Sequence, residues 1–161
     1  MKVLTVSIFV LVLACLPAAA MAQALWRNVD YGMTKSQVAT AQPSARPSTE
    51  KESLRNGATC DLAIDNQMVA DRPFRACFYF LNTKLHQVTL SAQSPATKED
   101  LDAVLRAVVD QYGDALSVQD TGDIYDGTWS IGSDVRFSVF YANIGGTGGM
   151  MNLVYQSAAG Q

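Results

Sequence analysis

The sequence predicts an α+β domain in which two units, each one helix followed by three strands, form a meandering antiparallel sheet with the helices packed on one face. Three observations lead there. One strongly amphipathic helix is legible, with Leu101, Val104, Leu105, Val108 and Tyr112 at i, i+3, i+4, i+7 and i+11. Runs rich in β-branched and aromatic residues precede and follow it, separated by turn-forming residues. Short stretches also recur in one order: TKSQV (34–38) answers TKEDL (97–101), RACFYF (75–80) answers RFSVFY (136–141), and LSA (90–92) answers QSA (156–158). The two expected units span 31–92 and 95–158.

The chain opens with Met1-Lys2, an apolar run over 3–16, and Ala20-Met21-Ala22 before Gln23. A charged start, a run too short for a stable membrane span and an A-x-A step predict a cleaved export signal over 1–22. A second option takes Val12-Leu13-Ala14-Cys15 as a lipobox that would make Cys15 a lipidated N-terminus. Without 22 of its 161 residues the chain keeps 139, enough for one domain over 23–161. The 12 basic residues lose Lys2, leaving 11 against 15 acidic ones, a net charge of about −4. The basic residues are scattered, which argues against nucleic acid as a partner. No later run approaches the length of a membrane-spanning helix, so the mature chain is expected not to span a membrane, and its place is periplasmic or secreted.

Thr34 is a helix N-cap, Gln37 completes a capping box, and Met33 can pack on Val38 as a hydrophobic staple. Pro43 and Pro47 end this first helix. The polar stretch 42–57 is expected as a linker, with one helical turn around 48–54. Strands are expected at 60–64, 74–81 and 85–90, with a long loop at 65–73 and a tight hairpin near Asn82-Thr83-Lys84. Thr97 caps the second helix, Asp100 lies at N3, and Gly113 ends it. Further strands are expected around 128–131, 135–141 and 151–155.

Cys60 and Cys77 are the two cysteines left after export, and an oxidising compartment predicts that they pair. Alternation puts Phe74, Ala76, Phe78 and Phe80, with Val135, Phe137, Val139 and Tyr141, on the face beneath the helices. The opposite face is expected to hold Cys60, Leu62, Ile64, Cys77 and Tyr79, with Trp129, Ile131 and Phe140. It is therefore apolar as well. Either the linker and N-terminal segment cover it, or part of it is an exposed patch that binds something. Leu62, Tyr79, Trp129, Ile131 and Phe140 are the candidate binding face.

Gly32-Met33-Thr34, followed by a polar turn and Val38 in an exported chain, resembles the "GMT" modules of small bacterial envelope proteins. These include the small lipoprotein of the outer-membrane β-barrel assembly machinery and the β-lactamase inhibitory protein. The resemblance covers 26–38 and beyond that only the order of elements. The glycine-proline step usual after the first helix is replaced here by Gln42-Pro43. The resemblance implies a non-catalytic, partner-binding fold and transfers no site residue.

Other constellations are weighed on their chemistry. NIGGTGGMM (143–151) lacks the Lys-Ser/Thr step and following helix of a phosphate loop, and is expected as a hairpin connection. Asp120, Asp123, Asp126 and Asp134 lack the ligand spacing of a calcium loop. His86 has no metal-ligand partner at suitable spacing, and no serine sits in a nucleophile elbow. No catalytic residue, metal or cofactor is expected. A protein partner in the periplasm is expected, with an envelope scaffold anchored through Cys15, a small-ligand or lipid carrier, or an enzyme with a carboxylate-based mechanism as alternatives.

Overall fold

A computed structural model describes residues 24–143, 145 and 148–158. The leader expected at 1–22, Cys15 included, lies outside the described residues, as do Ile144, Gly146 and Thr147. The elements in chain order are α1 (Lys35–Ala41), β1 (Arg46–Pro47), β2 (Thr59–Val69), β3 (Arg72–Leu81), β4 (Lys84–Ala92), α2 (Lys98–Tyr112), β5 (Ser117–Asp120), β6 (Ile124–Ile131), β7 (Val135–Ala142) and β8 (Met150–Ser157). All strands belong to one antiparallel sheet of order β1-β2-β3-β4-β8-β7-β6-β5. No helix among the described residues is long and apolar enough to cross a membrane.

This corrects the expected fold class. The chain is mostly sheet, 50% strand with two short helices, and it does not divide into two units of one helix and three strands. Two segments account for much of the difference. The loop expected at 65–73 is instead the distal half of a hairpin, because β2 continues to Val69 and turns through Ala70-Asp71 into β3. Both turn residues have positive φ, 47° and 61°, the conformation of a type I′ turn, adopted here without the glycine or asparagine that normally advertises it. Polar edge strands β1 and β5 add to the sheet at its two margins, the first within the expected linker.

Local chemistry sets the helix ends. Thr34 and Gln37 form a capping box on α1, and the Asn28 side chain accepts from Gln42 and donates to the Ala41 carbonyl (2.8 Å), closing its last turn. Thr97 and Asp100 form the same box on α2, and Gly113 terminates it at φ 79°. Val38 from α1 and Leu101, Val104 and Val108 from α2 enter one buried cluster with Phe74, Phe78, Phe137 and Val139 of the sheet. Trp129 lies in this cluster, and its Nε1 donates to the Gly113 carbonyl at 3.0 Å, tying the end of α2 to β6.

Gly127 faces inward between Tyr125 and Trp129, and a Cβ there would stand 2.6 Å from the tyrosine oxygen and 2.8 Å from the indole. Trp129 is fully buried and has nowhere to go. Gly127→Ala is expected to lower unfolding free energy by about 1–3 kcal/mol in urea denaturation, the usual cost of overpacking.

The Asp100 carboxyl is held below its ordinary range, chiefly by the Thr97 backbone N–H, with Arg72 at 2.6 Å adding to it. A depressed carboxyl contributes stability above its unfolded pKa and loses it as pH falls through its folded value. Asp100→Asn should therefore flatten the acid limb of a stability-against-pH curve below about pH 4, read by denaturation midpoints across that window.

Candidate binding face

The sequence placed five residues on one surface; the structure separates them. Register explains each. Trp129 pairs with Phe137 and Ile131 with Val135, so both share the helix-covered face. A register shift between Cys60 and Leu62 puts Leu62 on the helix side with Ile64, although Cys60 two residues earlier points away. Leu62 and Trp129 are core residues, and Ile131 is partly buried against the same core. Only Tyr79 and Phe140 remain on the outer face, on β3 and β7, with β4 and β8 between them.

One end of that outer face is covered. Residues 48–58 run over β2 and β3 as a strap: the Ser48 N–H donates to Asp61 (3.0 Å) and the Cys60 N–H to Glu52 (2.9 Å). Beneath it Ala58, Cys60, Ala63, Cys77 and Tyr79 form a second small cluster with Leu54 and Leu81 packed against it. Cys60 and Cys77 are disulfide-bonded across β2 and β3, with Cα atoms 5.8 Å apart. The Tyr79 hydroxyl donates to Glu52 Oε2 at 2.9 Å, and burial first, then the Glu52 carboxylate, push its pKa well above the ordinary value. Arg75 holds the strap's other end, donating to Glu50 (2.5 Å) and Ser48 Oγ (2.9 Å). A polar groove of about 570 Å3 opens between strap and sheet, walled by Glu50, Glu52, Asp65 and Arg75 and reaching Ser91 on β4.

Beyond the strap, register arranges the outward side chains in three rows, bordered by a fourth of Met150, Ala142 and Ile124 in which Met150 and Ile124 are exposed. The first runs Arg75, Ser91, Asn152, Phe140, Asp126; the second Cys77, Thr89, Val154, Ser138, Thr128; the third Tyr79, Gln87, Gln156, Arg136, Ser130. Outside the strap only Phe140 and Val154 are apolar in these three rows. The remainder is chiefly hydroxyl and amide. Several of these groups pair with each other, Gln87 Nε2 donating to Thr89 Oγ1 at 2.9 Å and Thr128 lying 3.4 Å from Ser138, which holds their rotamers. Asn152, Val154 and Gln156 alternate along β8 with the buried Met151, Leu153 and Tyr155. That alternation is the sequence signal for this surface, carried by polar residues rather than apolar ones.

The other singled-out residues do not converge. Asp120 pairs with Lys98 (3.3 Å) and accepts from the Gly122 N–H, while Asp126 lies on the outer face. His86 Nε2 contacts Asn56 at 2.9 Å and its ring meets Tyr31. Among the described residues, only Glu52, Cys60 and Cys77 bring three metal-type donors together, and both sulfurs are used by the disulfide. The chain matches no protein-family model, no curated protein and no solved structure.

The strap and disulfide carry a measurable energy. The bond separates Cys60 from Cys77 by 17 positions, and a loop of that order contributes about 3 kcal/mol through the unfolded chain. Reduction should lower stability by about that amount. Tyr79→Phe should cost about 1 kcal/mol more modestly, by removing the hydroxyl donated to Glu52; guanidinium denaturation with and without reductant compares the two.

Proposed function

We propose that this is an exported, non-catalytic binding module that engages a protein partner through the uncovered part of its outer sheet face. The observation that carries the reading is the asymmetry of the sheet: helices bury one face, whereas the other is strapped only over β2 and β3. Its rows are half-buried, chiefly hydroxyl and amide side chains around Phe140 and Val154, bordered by the exposed Met150 and Ile124, with Asp126 and Arg136 as the charges to desolvate. The apolar start, the A-x-A step and the disulfide support export to an oxidising compartment. The Gly32-Met33-Thr34 step resembles modules that bind partners without catalysis, in keeping with this reading.

Size decides what else the interface includes. Five strands about 4.8 Å apart and about 20 Å of strand length offer roughly 480 Å2, short of the ~800 Å2 each partner commonly contributes. The partner must therefore also rest on the rim, where the strap flanks the face. Phe140, the one aromatic side chain in the uncovered rows, is its anchor.

The test is capture of the partner from periplasmic extract by the wild-type protein, compared with Asn152→Arg and Ser138→Arg. Both positions point outward from strands, so thermal midpoints should stay within a few degrees. Loss of the same captured protein by both variants is expected. Undiminished capture by both would remove this face from the account.

A further inference from the structure

The opposite, helix-covered side of the sheet contains a pocket of about 280 Å3 between the C-terminal half of α2, the β2–β3 hairpin and the turn before α1. Its base is formed by Leu90, Leu153 and Val108, all core residues, and its walls by Trp26, Tyr112 and Tyr155. Arg27 is the only ionised side chain lining it. Its guanidinium lies 4.3 Å over the Trp26 ring, and it makes no ion pair among the described residues. A planar guanidinium stacked on an indole by its face keeps its N–H edges free, the arrangement that receives a carboxylate in two parallel bonds.

We infer that this pocket binds a small aryl carboxylate, its ring held among Trp26, Tyr112 and Tyr155 and its carboxylate accepting from Arg27. Charge and volume select this occupant. One cation without an ion pair, beside a chamber whose base and walls are aromatic and aliphatic with Gln67 and Gln111 at its edge, calls for a single anionic group on an apolar body. A dry cavity of about 150 Å3 accommodates benzene, so the volume here holds a ring with a short acid chain.

The backbone around the pocket is unusual in the same place. Arg27 (φ 53°) stands in a turn closed by Trp26 and Val29, and Asn66 (φ 56°), Ala70 (φ 47°) and Asp71 (φ 61°) shape the facing hairpin. Non-glycine residues in the left-handed region cost free energy and gather at ligand sites. Two of them, Arg27 and Ala70, line the opening itself, one on each side, and Asn66 and Asp71 bracket the hairpin segment that lines it. The buried Tyr155 hydroxyl, raised in pKa mainly by burial and further by its contact with Tyr112, stays protonated and adds no negative charge to the pocket.

The probe is 3-phenylpropanoate, with 3-phenylpropanamide and decanoate for comparison, titrated into the oxidised protein by calorimetry and followed by tryptophan fluorescence. The acid should bind with a dissociation constant at or below about 1 mM, and the amide about tenfold more weakly or worse. Arg27→Gln should remove the preference for the acid. Ala107→Trp, at an exposed position on the pocket's α2 wall, should block both ligands. Both variants change exposed side chains, and unchanged melting temperatures verify that they fold. The inference is overturned by no binding of the acid up to about 10 mM, by equal affinity for acid and amide, by a preference that survives Arg27→Gln, or by binding indifferent to Ala107→Trp. Decanoate binding tenfold tighter than the aryl acid would assign the pocket to acyl chains instead.

Discussion

The pairing of β4 with β8, from Gln87 opposite Gln156 to Ser91 opposite Asn152, is the contact on which the rest of the molecule depends. It joins β2, β3 and β4 to β6, β7 and β8, and it brings together residues more than sixty positions apart in sequence. Without it two inner strands would each present a long unpaired edge. Val88 and Leu90 would also lose their register with Tyr155 and Leu153, and the single core would be cut in half. The helices cannot substitute for this contact. At seven and fifteen residues they are too short to hold shape alone and owe their stability to the sheet they cover.

The two faces of this sheet solve the same burial problem by different means. Inside, α1 and α2 lay an apolar stripe over the strands. Outside, the extended strap reaches only as far as the Cys60–Cys77 bridge, and it is held by backbone pairing and by Arg75 and Tyr79 rather than by a large apolar contact. The disulfide adds through the unfolded chain what this thin layer lacks in buried area. Farther along, the strands carry hydroxyl and amide side chains and need no cover. The division between covered and uncovered outer face thus follows the change in side-chain chemistry along β3, β4 and β8.

What the sequence revealed was local. Both capping boxes, at Thr34–Gln37 and Thr97–Asp100, the glycine end of α2 and the position of most strands are written within a few residues of where they act. The pairing of Cys60 with Cys77 was legible from compartment and count. Facing was not. The shift after Cys60 moves Leu62 and Ile64 into the core, and the position of Trp129 depends on its partner Phe137 in another strand. That the linker covers the outer face is legible and holds over β2 and β3, but its contacts to Tyr79 and Arg75 lie more than twenty positions away and are not. The five-residue face expected from alternation consequently mixes core with surface, because alternation gives period but not which side each strand turns inward.

The same balance of local cost and distant support shapes the β2–β3 hairpin. Ala70 and Asp71 turn the chain with positive φ in a geometry for which glycine or asparagine is the easy choice, and Asn66 makes a further left-handed step within a register shift. None of these residues would form the turn unaided. Strands of 11 and 10 residues, locked by a disulfide and by a fully buried Phe74 and Phe78, hold them there. That hairpin forms one lip of the chamber under α2, and the other is the Trp26–Val29 turn with Arg27 in the same left-handed conformation. A cavity of that kind cannot be read from any one segment, because each lip is strained by itself and the space between them exists only once the sheet has closed. Its lining residues are spread from Trp26 to Tyr155, and the β4–β8 pairing is what brings Leu90 and Leu153 side by side at its base.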